Sequence, residues 1–363
     1  MTHLLEGLDT KRFQTQVIAY DCLGPLAGRL GLAGVPCSLL KRNPGIDLRF
    51  ILALAWRLAR MRPDILPLHN PTAFFYGALA GWLARVPRII YTEHGRDFAS
   101  SKRNKYLHRL LGRLVDRVVV VSESGRAVLA AEGIPDRHIL TIHNGIDAAR
   151  FLMGEDRWRI RERLGFAREQ PLVGIVVRLD PIKNHAVLLR AMARVVASQP
   201  EAVLLIIGDG PLRGALTSRS VELGLAENVH FLGNRDDVPE LLAALDVMVL
   251  CSHSEGMSLT LLEESAAGKA IVATAVGGNA EIIEDHACGL LVPPDDDAAL
   301  ARAISGLLAD TERALALGQS ARLRYLREFT LERMVSRYEA LYEDCTRTAA
   351  PGARDLQANA ARL

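Results

Sequence analysis

The sequence predicts an α/β protein of two doubly wound domains that face each other across a cleft. Three observations carry that expectation. Short β-branched runs alternate with helical stretches along most of the chain, the pattern of right-handed βαβ units. The strand runs are apolar throughout, as strands covered by helices on both faces require. The alternation is interrupted once, near 144–170, which divides 363 residues into two parts of domain size.

Taken in order, the chain opens on an amphipathic stretch, MTHLLEGLDTKR, whose Glu6 and Asp9 are foreign to a signal peptide. The first predicted strand is QVIAY (16–20), followed by DILPLH (64–69), RIIYTE (88–93) and RVVVVS (117–122). The longest apolar stretch, TAFFYGALAGWLA (72–84), is shorter than the ~18–20 residues of a spanning helix and reads as a buried layer helix. NGID (144–147) is turn chemistry, and GEDRWRIRERLGFAREQP (154–171) is a charged connection. Beyond it come LVGIVV (172–177), AVLLII (202–207), VHFLG (229–233), VMVL (247–250) and AIVAT (270–274). The last predicted helix is LERMVSRYEALYEDC (331–345). The sequence therefore divides into an N-terminal domain at 1–150, a C-terminal domain at 151–345 and a disordered tail at 346–363.

Composition excludes several classes. Hydrophobic residues at 49% with 24% charged residues suit a soluble α/β protein, and a net charge of +2 leaves no global field for nucleic acid. The five cysteines lack CxxC spacing and read as reduced thiols of a cytoplasmic protein, not as a metal or disulfide framework.

The stretch SEGMSLTLLEESAAGKAIVATAVGG (254–278) holds two carboxylates eight positions apart, Glu255 and Glu263. Gly256 keeps Glu255 in a loop, Ser258 suits a helix N-cap, and Glu263 falls in the second turn. Along a continuous helix the two would stand ~12 Å apart, beyond the ~5–9.5 Å of a glycosidase pair. They fit two separate contacts on an elongated ligand. Between them the amides of Gly256, Met257, Ser258 and Leu259 form an anion site at a helix N-terminus. Sugar, diphosphate and ribose in line describe a nucleotide-sugar. Alone, the segment also fits a solvated loop and helix face. In VVRLDPIKN (176–184), Arg178 closes a strand and Lys183 stands at the mouth of the next helix, two cations able to grip a diphosphate or simply to solubilise a surface. Together the two segments favour a donor site.

Residues 171–291 resemble the donor-binding domain of the family-4, GT-B-fold retaining glycosyltransferases. Glu255 and Glu263 match the family's E-x7-E motif, Arg178 and Lys183 its Arg-Leu-x-x-x-Lys motif, and LGNRDDVPELLAALDVMVL and AVGGNAEII match further segments. The resemblance implies the GT-B fold, two Rossmann-like domains facing across a cleft. It implies that Glu255 binds donor-sugar hydroxyls, Glu263 the ribose, and Arg178 and Lys183 the diphosphate, with Arg235 near the nucleotide. PDILPLHNP and YTEHGRDF stand where the family has strand-end histidines; His94 matches the one near donor sugar and acceptor, while His69 reads as structural. EHGRD is similar to a subgroup associated with exopolysaccharide assembly.

The implied activity moves a sugar from a UDP- or GDP-sugar to a glycan or lipid-linked acceptor, with retention, by front-face substitution. His94, Glu255, Arg178 and Lys183 would be its catalytic groups. No metal or other cofactor is implied, and PDDDAAL (294–300) reads as an acidic helix start. The family's first strand and Gly-Gly loop, which would precede MTHLLEGLD, have no counterpart here. The resemblance therefore implies a gap in the N-terminal sheet with unpaired backbone groups, from an upstream start or a natural shortening. The second alternative leaves open an inactive scaffold or partner subunit of a polysaccharide-assembly complex. In IGDGPLRG (207–214) the third glycine stands one place late for the G-x-G-x-x-G of a dinucleotide site, and the next strand, VHFLG, ends without the acid such a site needs, which sets a nicotinamide enzyme behind the donor-site reading. Finally, 96–117 carries seven cations against Asp97 and Asp116, with Tyr106, Leu107, Leu110, Leu111 and Leu114 at helical spacing. It fits either a covering helix or peripheral docking on the anionic inner face of the cell membrane.

Overall fold

A computed structural model describes residues 1–24, 26–95, 108–152 and 156–347. In the N-terminal half, β1 (Val17–Ala19) pairs with β2 (Cys37–Leu39). A separate sheet runs in the order β3 (Ile65–His69), β4 (Arg88–Glu93), β5 (Arg117–Val120) and β6 (Ile139–Thr141). All of these pairs are parallel. Ile18 and Tyr20 pack on the same core as Leu66 and Leu68, so side chains join what backbone bonds do not.

The C-terminal half is a single parallel sheet of six strands. They are β7 (Leu172–Val176), β8 (Val203–Ile207), β9 (Val229–Gly233), β10 (Val247–Leu250), β11 (Ala270–Thr274) and β12 (Leu290–Val292). Their order, β12-β11-β10-β7-β8-β9, reverses direction between β7 and β10, and ligands of doubly wound sheets bind at such a switch point. Helix His185–Ser198 covers one face with Val187, Leu188, Ala191, Met192 and Val195, an apolar stripe at helical spacing.

The predicted strands lie within two residues of the observed ends. β5 stops at Val120 because Ser122 turns the chain into helix Glu123–Ala131 and caps it, accepting from Gly125 N at 3.1 Å. TAFFYGALAGWLA forms helix Pro71–Leu83, packed so closely on the sheet that a Cβ at Gly77 would lie 2.2 Å from Leu68.

The last helix departs from what the division at 150 suggests. Helix Leu331–Arg347 crosses back to the N-terminal half, where Tyr338, Leu341 and Tyr342 cluster with Leu4, Leu8, Ile90 and Val119. The two crossings run side by side: Leu331 N donates to Ile146 O at 3.0 Å, and Ile146 N to Phe329 O at 3.2 Å. The helix includes Thr346 and Arg347 of the expected tail; 348–363 lie outside the described residues. So does most of the expected docking segment, 96–107. In its described remainder Leu111 is buried and Leu114 packs on the core, because this stripe completes the layer over β4 and β5; Leu110 alone of the three is half exposed. No helix among the described residues is long and apolar enough to cross a membrane.

Candidate active site

The candidate residues gather at the carboxyl ends of β4, β7, β10 and β11. Two hydrogen bonds sew the loop after β7 to the loop after β10: the Cys251 thiol donates to Lys183 O at 3.2 Å, and His253 N donates to Ile182 O at 2.8 Å. These bonds hold Lys183 against Glu255, with Nζ 2.6 Å from Oε1. Ser252 Oγ donates to the same oxygen at 2.6 Å. The Glu255 side chain is only 10% exposed, so it is not a solvated loop carboxylate.

This pairing changes the expected arrangement. The sequence assigns Lys183 and Arg178 jointly to a diphosphate and Glu255 separately to a sugar. The structure puts Lys183 and Glu255 in one ion pair, because two opposite charges in a half-closed crevice neutralise each other more cheaply than each alone. Arg178, 78% exposed, turns to Asp180 at 2.7 Å instead of converging with Lys183. Arg235, at the end of edge strand β9, makes a two-pronged pair with Asp237 in its own loop, at 2.7 and 2.6 Å, and is not brought to the other four.

Ser258 is the N-cap of helix Leu259–Ala266, its hydroxyl accepting from Leu261 N at 3.3 Å. The amides of Gly256, Met257, Ser258 and Leu259 donate to no acceptor among the described residues, so four backbone donors stand open at this helix start. Met257 itself is buried, its sulfur 3.1 Å from Asn144 N. Glu263 lies half-buried in the second turn. Its neighbour Glu264, which sequence reasoning overlooked, is completely buried and neither carboxylate oxygen has a hydrogen-bond partner. Burial, reinforced by the charge of Glu263, pushes its pKa well above the usual carboxylate range, so the group is held neutral.

Main chains from the two halves meet here with no side chain between them. A Cβ on Gly256 would lie 2.3 Å from His94 O, and one on Gly95 2.6 Å from the Gly256 α-carbon. Gly277, with φ of +52°, passes as closely to Glu255 O, and Gly278 N donates to Gly256 O at 3.0 Å.

His94 faces this junction. Its Nε2 is 2.9 Å from His69 Nδ1, and the rings stack at 23°, so His69 positions His94 and is more than a strand-end side chain. His94 keeps an accessible edge in the cleft, but the protein around it displaces most of its hydration. That desolvation lowers its pKa to about 4; burial and the neighbouring His94 lower His69 to about 3. Both rings are neutral at physiological pH, one donating to the other.

A further bridge came without sequence warning. Glu281, inside AVGGNAEII, accepts from the amides of Glu123 and Ser124 at 2.8 and 3.0 Å and lies 3.0 Å from His143 Nε2. Burial alone would raise its pKa, but the bonds from His143 and the two amides outweigh it and hold the carboxylate ionised. The C-terminal half thereby caps a helix of the N-terminal half. The PDDDAAL acids are structural: Asp296 caps Ala299 N, and Asp297 pairs with Arg190 and Arg194. Among the described residues no cluster of His, Cys, Asp or Glu is placed to hold a metal ion.

Two Rossmann-like domains of parallel sheets, with their strand ends facing a helix start of open amides, have the GT-B architecture of glycosyltransferases. The chain belongs to family 4 of these enzymes: residues 156–324 match the family described as glycosyl transferases group 1, and 1–150 match glycosyltransferase family 4. It is 29% identical over 312 residues to the N-acetyl-alpha-D-glucosaminyl L-malate synthase of Bacillus anthracis, covering 84% of this chain and 81% of that protein. It is 26% identical over 354 residues to the UDP-Gal:alpha-D-GlcNAc-diphosphoundecaprenol alpha-1,3-galactosyltransferase of Escherichia coli, covering 93% and 91%. Its fold is similar to the crystal structure of Anabaena HepE in complex with UDP, with a TM-score of 0.84 at 22% identity over 94% of this chain and 95% of that one. The protein is a glycosyltransferase that uses a nucleotide-sugar donor.

Proposed function

We propose that this enzyme transfers a hexosyl group from a UDP-sugar to a lipid-linked or glycan acceptor with retention, in cell-surface or exopolysaccharide synthesis. The observation that carries the reading is the Lys183–Glu255 pair beside the open amides of 256–259. A diphosphate at those amides competes for Lys183. As Lys183 and Arg178 turn to the phosphates, Glu255 becomes free to accept hydroxyl hydrogen bonds from the donor sugar, and Glu263 lies further along the helix for the ribose. The leaving diphosphate gains its charge where fixed amides and two cations stabilise it. His94, neutral and held by His69, borders the place where the acceptor meets the sugar. The front-face course has the departing phosphate oxygen take the acceptor's proton while the new bond forms on the same face. This scheme uses no metal. A UDP donor is supported by the E. coli relative, whose name specifies UDP-Gal, and by HepE, solved with UDP-glucose.

Anomeric NMR of the first-formed product from a UDP-hexose tests the reading. An α-linked product from an α-linked donor supports retention, and a β-linked product overturns it. A chain with no transferase activity and no UDP binding would instead favour the scaffold reading.

A peripheral membrane position fits a second surface. Helix Leu48–Met61 buries Phe50, Ile51, Leu54 and Leu58, yet exposes Leu48, Leu52 and Trp56 at 60–67%, four residues apart on its outer face. Arg49 and Arg60 flank that stripe, with Arg60 stacked over Trp56. Each such cation adds ~1 kcal/mol at an anionic leaflet. Flotation with phosphatidylglycerol vesicles should be lost in Leu52→Ser/Trp56→Ser; unchanged flotation removes this surface from the proposal.

A further inference from the structure

The C-terminal half holds a cavity that glycosyl transfer does not use. It has a volume of about 180 Å³ and opens at the amino ends of β7, β10 and β11, where Pro171, Asp246 and Ala270 line it. The donor cleft is at the carboxyl ends of the same strands, roughly 15 Å away at about 3.3 Å per residue. At about 30 Å³ per water the space suits a small ion with a few waters, and excludes a nucleotide.

Charge in the lining is unbalanced. Arg157, Arg161, Arg168 and Lys269 face only Asp246 and Glu169. Arg161 is fully committed: it donates to the carbonyls of Ala244, Arg168 and Gln170 and reaches Asp246 at 2.7 Å. Arg157 takes the other Asp246 oxygen at 2.5 Å, but its Nε is buried with no acceptor. Lys269 donates to the Ala243 and Leu245 carbonyls, at 2.8 and 3.0 Å, and the carboxylate acting on it is Asp246, which Arg157 and Arg161 already share. Burial, with smaller contributions from Arg157 and Arg161 that Asp246 partly offsets, lowers its pKa to about 8. Two helices also begin at the cavity. Arg157 opens helix Arg157–Leu164 and Thr311 opens helix Thr311–Glu328, so both positive dipole ends point toward it. Asp156 and Asp310 each cap one of these helices, accepting from Trp158 N and Arg313 N, and neither makes an ion pair with Arg157, Arg168 or Lys269 among the described residues.

We propose that this cavity binds a small dianion of the phosphate class, held by Arg157, Lys269 and the start of helix Thr311–Glu328, independently of the donor cleft. A dianion matches the two-charge excess of the lining and supplies the missing acceptor at Arg157 Nε. Trp158 lines the cavity under the guanidinium of Arg157, 4.7 Å from its ring centre, so its fluorescence reports occupancy.

The test titrates inorganic phosphate at constant ionic strength into the Arg178→Ala/Lys183→Ala variant, which lacks the donor-cleft cations. Tryptophan emission and calorimetry follow it, with Trp158→Phe as the optical control. The expected result is saturable binding that weakens about tenfold or more in Arg157→Gln, the loss of one hydrogen bond to a charged group, and further in Arg157→Gln/Arg168→Gln. Both changed residues reach the surface, so folding is retained and is verified by circular dichroism. No saturable response, an equal response in Arg157→Gln, or the same response to chloride alone would overturn the site.

Discussion

In the C-terminal half six parallel strands pair without a break from β12 to β9; in the N-terminal half two strands and four form separate sheets. The candidate residues are distributed accordingly. His94 follows β4, paired by β3 and β5; Arg178 and Lys183 follow β7, paired by β8 and β10; Glu255 follows β10, paired by β7 and β11. Every one of these strands is held on both edges. β1 and β3, bordering the break, each have one edge unpaired by a strand, and only His69 among the site's side chains comes from them. Groups that need fixed positions stand on doubly paired strands, and the split sheet is tolerated where less precision is required.

The sharpest way to break this comparison is to remove the cations of the complete half. Lys183→Ala and Arg178→Ala should each lower kcat by ~10²–10³, the range for losing one charge-stabilising donor. Steady-state rates near wild type would mean that the diphosphate is held elsewhere. Within the same set, calorimetry with UDP should show weaker binding for Glu263→Ala and equal or tighter binding for Glu255→Gln, which releases Lys183 to the diphosphate; equal losses would end the division between ribose and sugar contacts.

Next in size is the junction of the halves. Gly256→Ala places a methyl group against His94 O and holds the loops apart, and a misplacement of about 1 Å costs ~10² in turnover. A rate close to wild type, with the fold intact by circular dichroism, would show that these main chains separate during the reaction.

A smaller effect concerns stability. The folded-state pKa of Glu264 is raised above its unfolded value, so its contribution is intact below about pH 4.5 and is lost as pH rises toward the folded value. Glu264→Gln does not titrate. Urea unfolding should therefore find the variant more stable than wild type by about 1–3 kcal/mol at pH 8, with the gap closing toward pH 4.5. A gap that widens on acidification would reverse the assignment. Least of all, hydrogen exchange should be about tenfold faster in β1 and β2 than in β7 and β8, reflecting local opening of a two-stranded sheet. Equal protection would mean that packing alone replaces the missing edge bonds.

Much of this was legible in the residues. Nine strands, both motif pairs and the Ser258 cap follow from local pattern. β2, β6 and β12 do not, since three residues give little pattern to read; β1 is as short and was legible only through the apolar run QVIAY around it. The Lys183–Glu255 and Glu281–Ser124 bonds span 72 and 157 positions, and no local rule pairs such distant partners. Glu264 is different. Leu261 lies three residues before it and Ser265 one after, and both are buried, so helical spacing alone would have put this carboxyl on the buried face. The amphipathic pattern of 331–345 announced a covered face but could not say which half of the protein covers it.

That last helix has a consequence for how the protein is made. The N-terminal half cannot wall off Ile90 and Val119 until residues 331–347 have been synthesised. At ~5–20 residues per second, the ~180 residues between are about 10–40 s of translation. For that interval part of an apolar face of the first domain, covered from its own side by Leu4 and Leu8, is open on the ribosome. Exposure during synthesis therefore falls on the first half of the chain, and the end of the second half brings the helix that covers it.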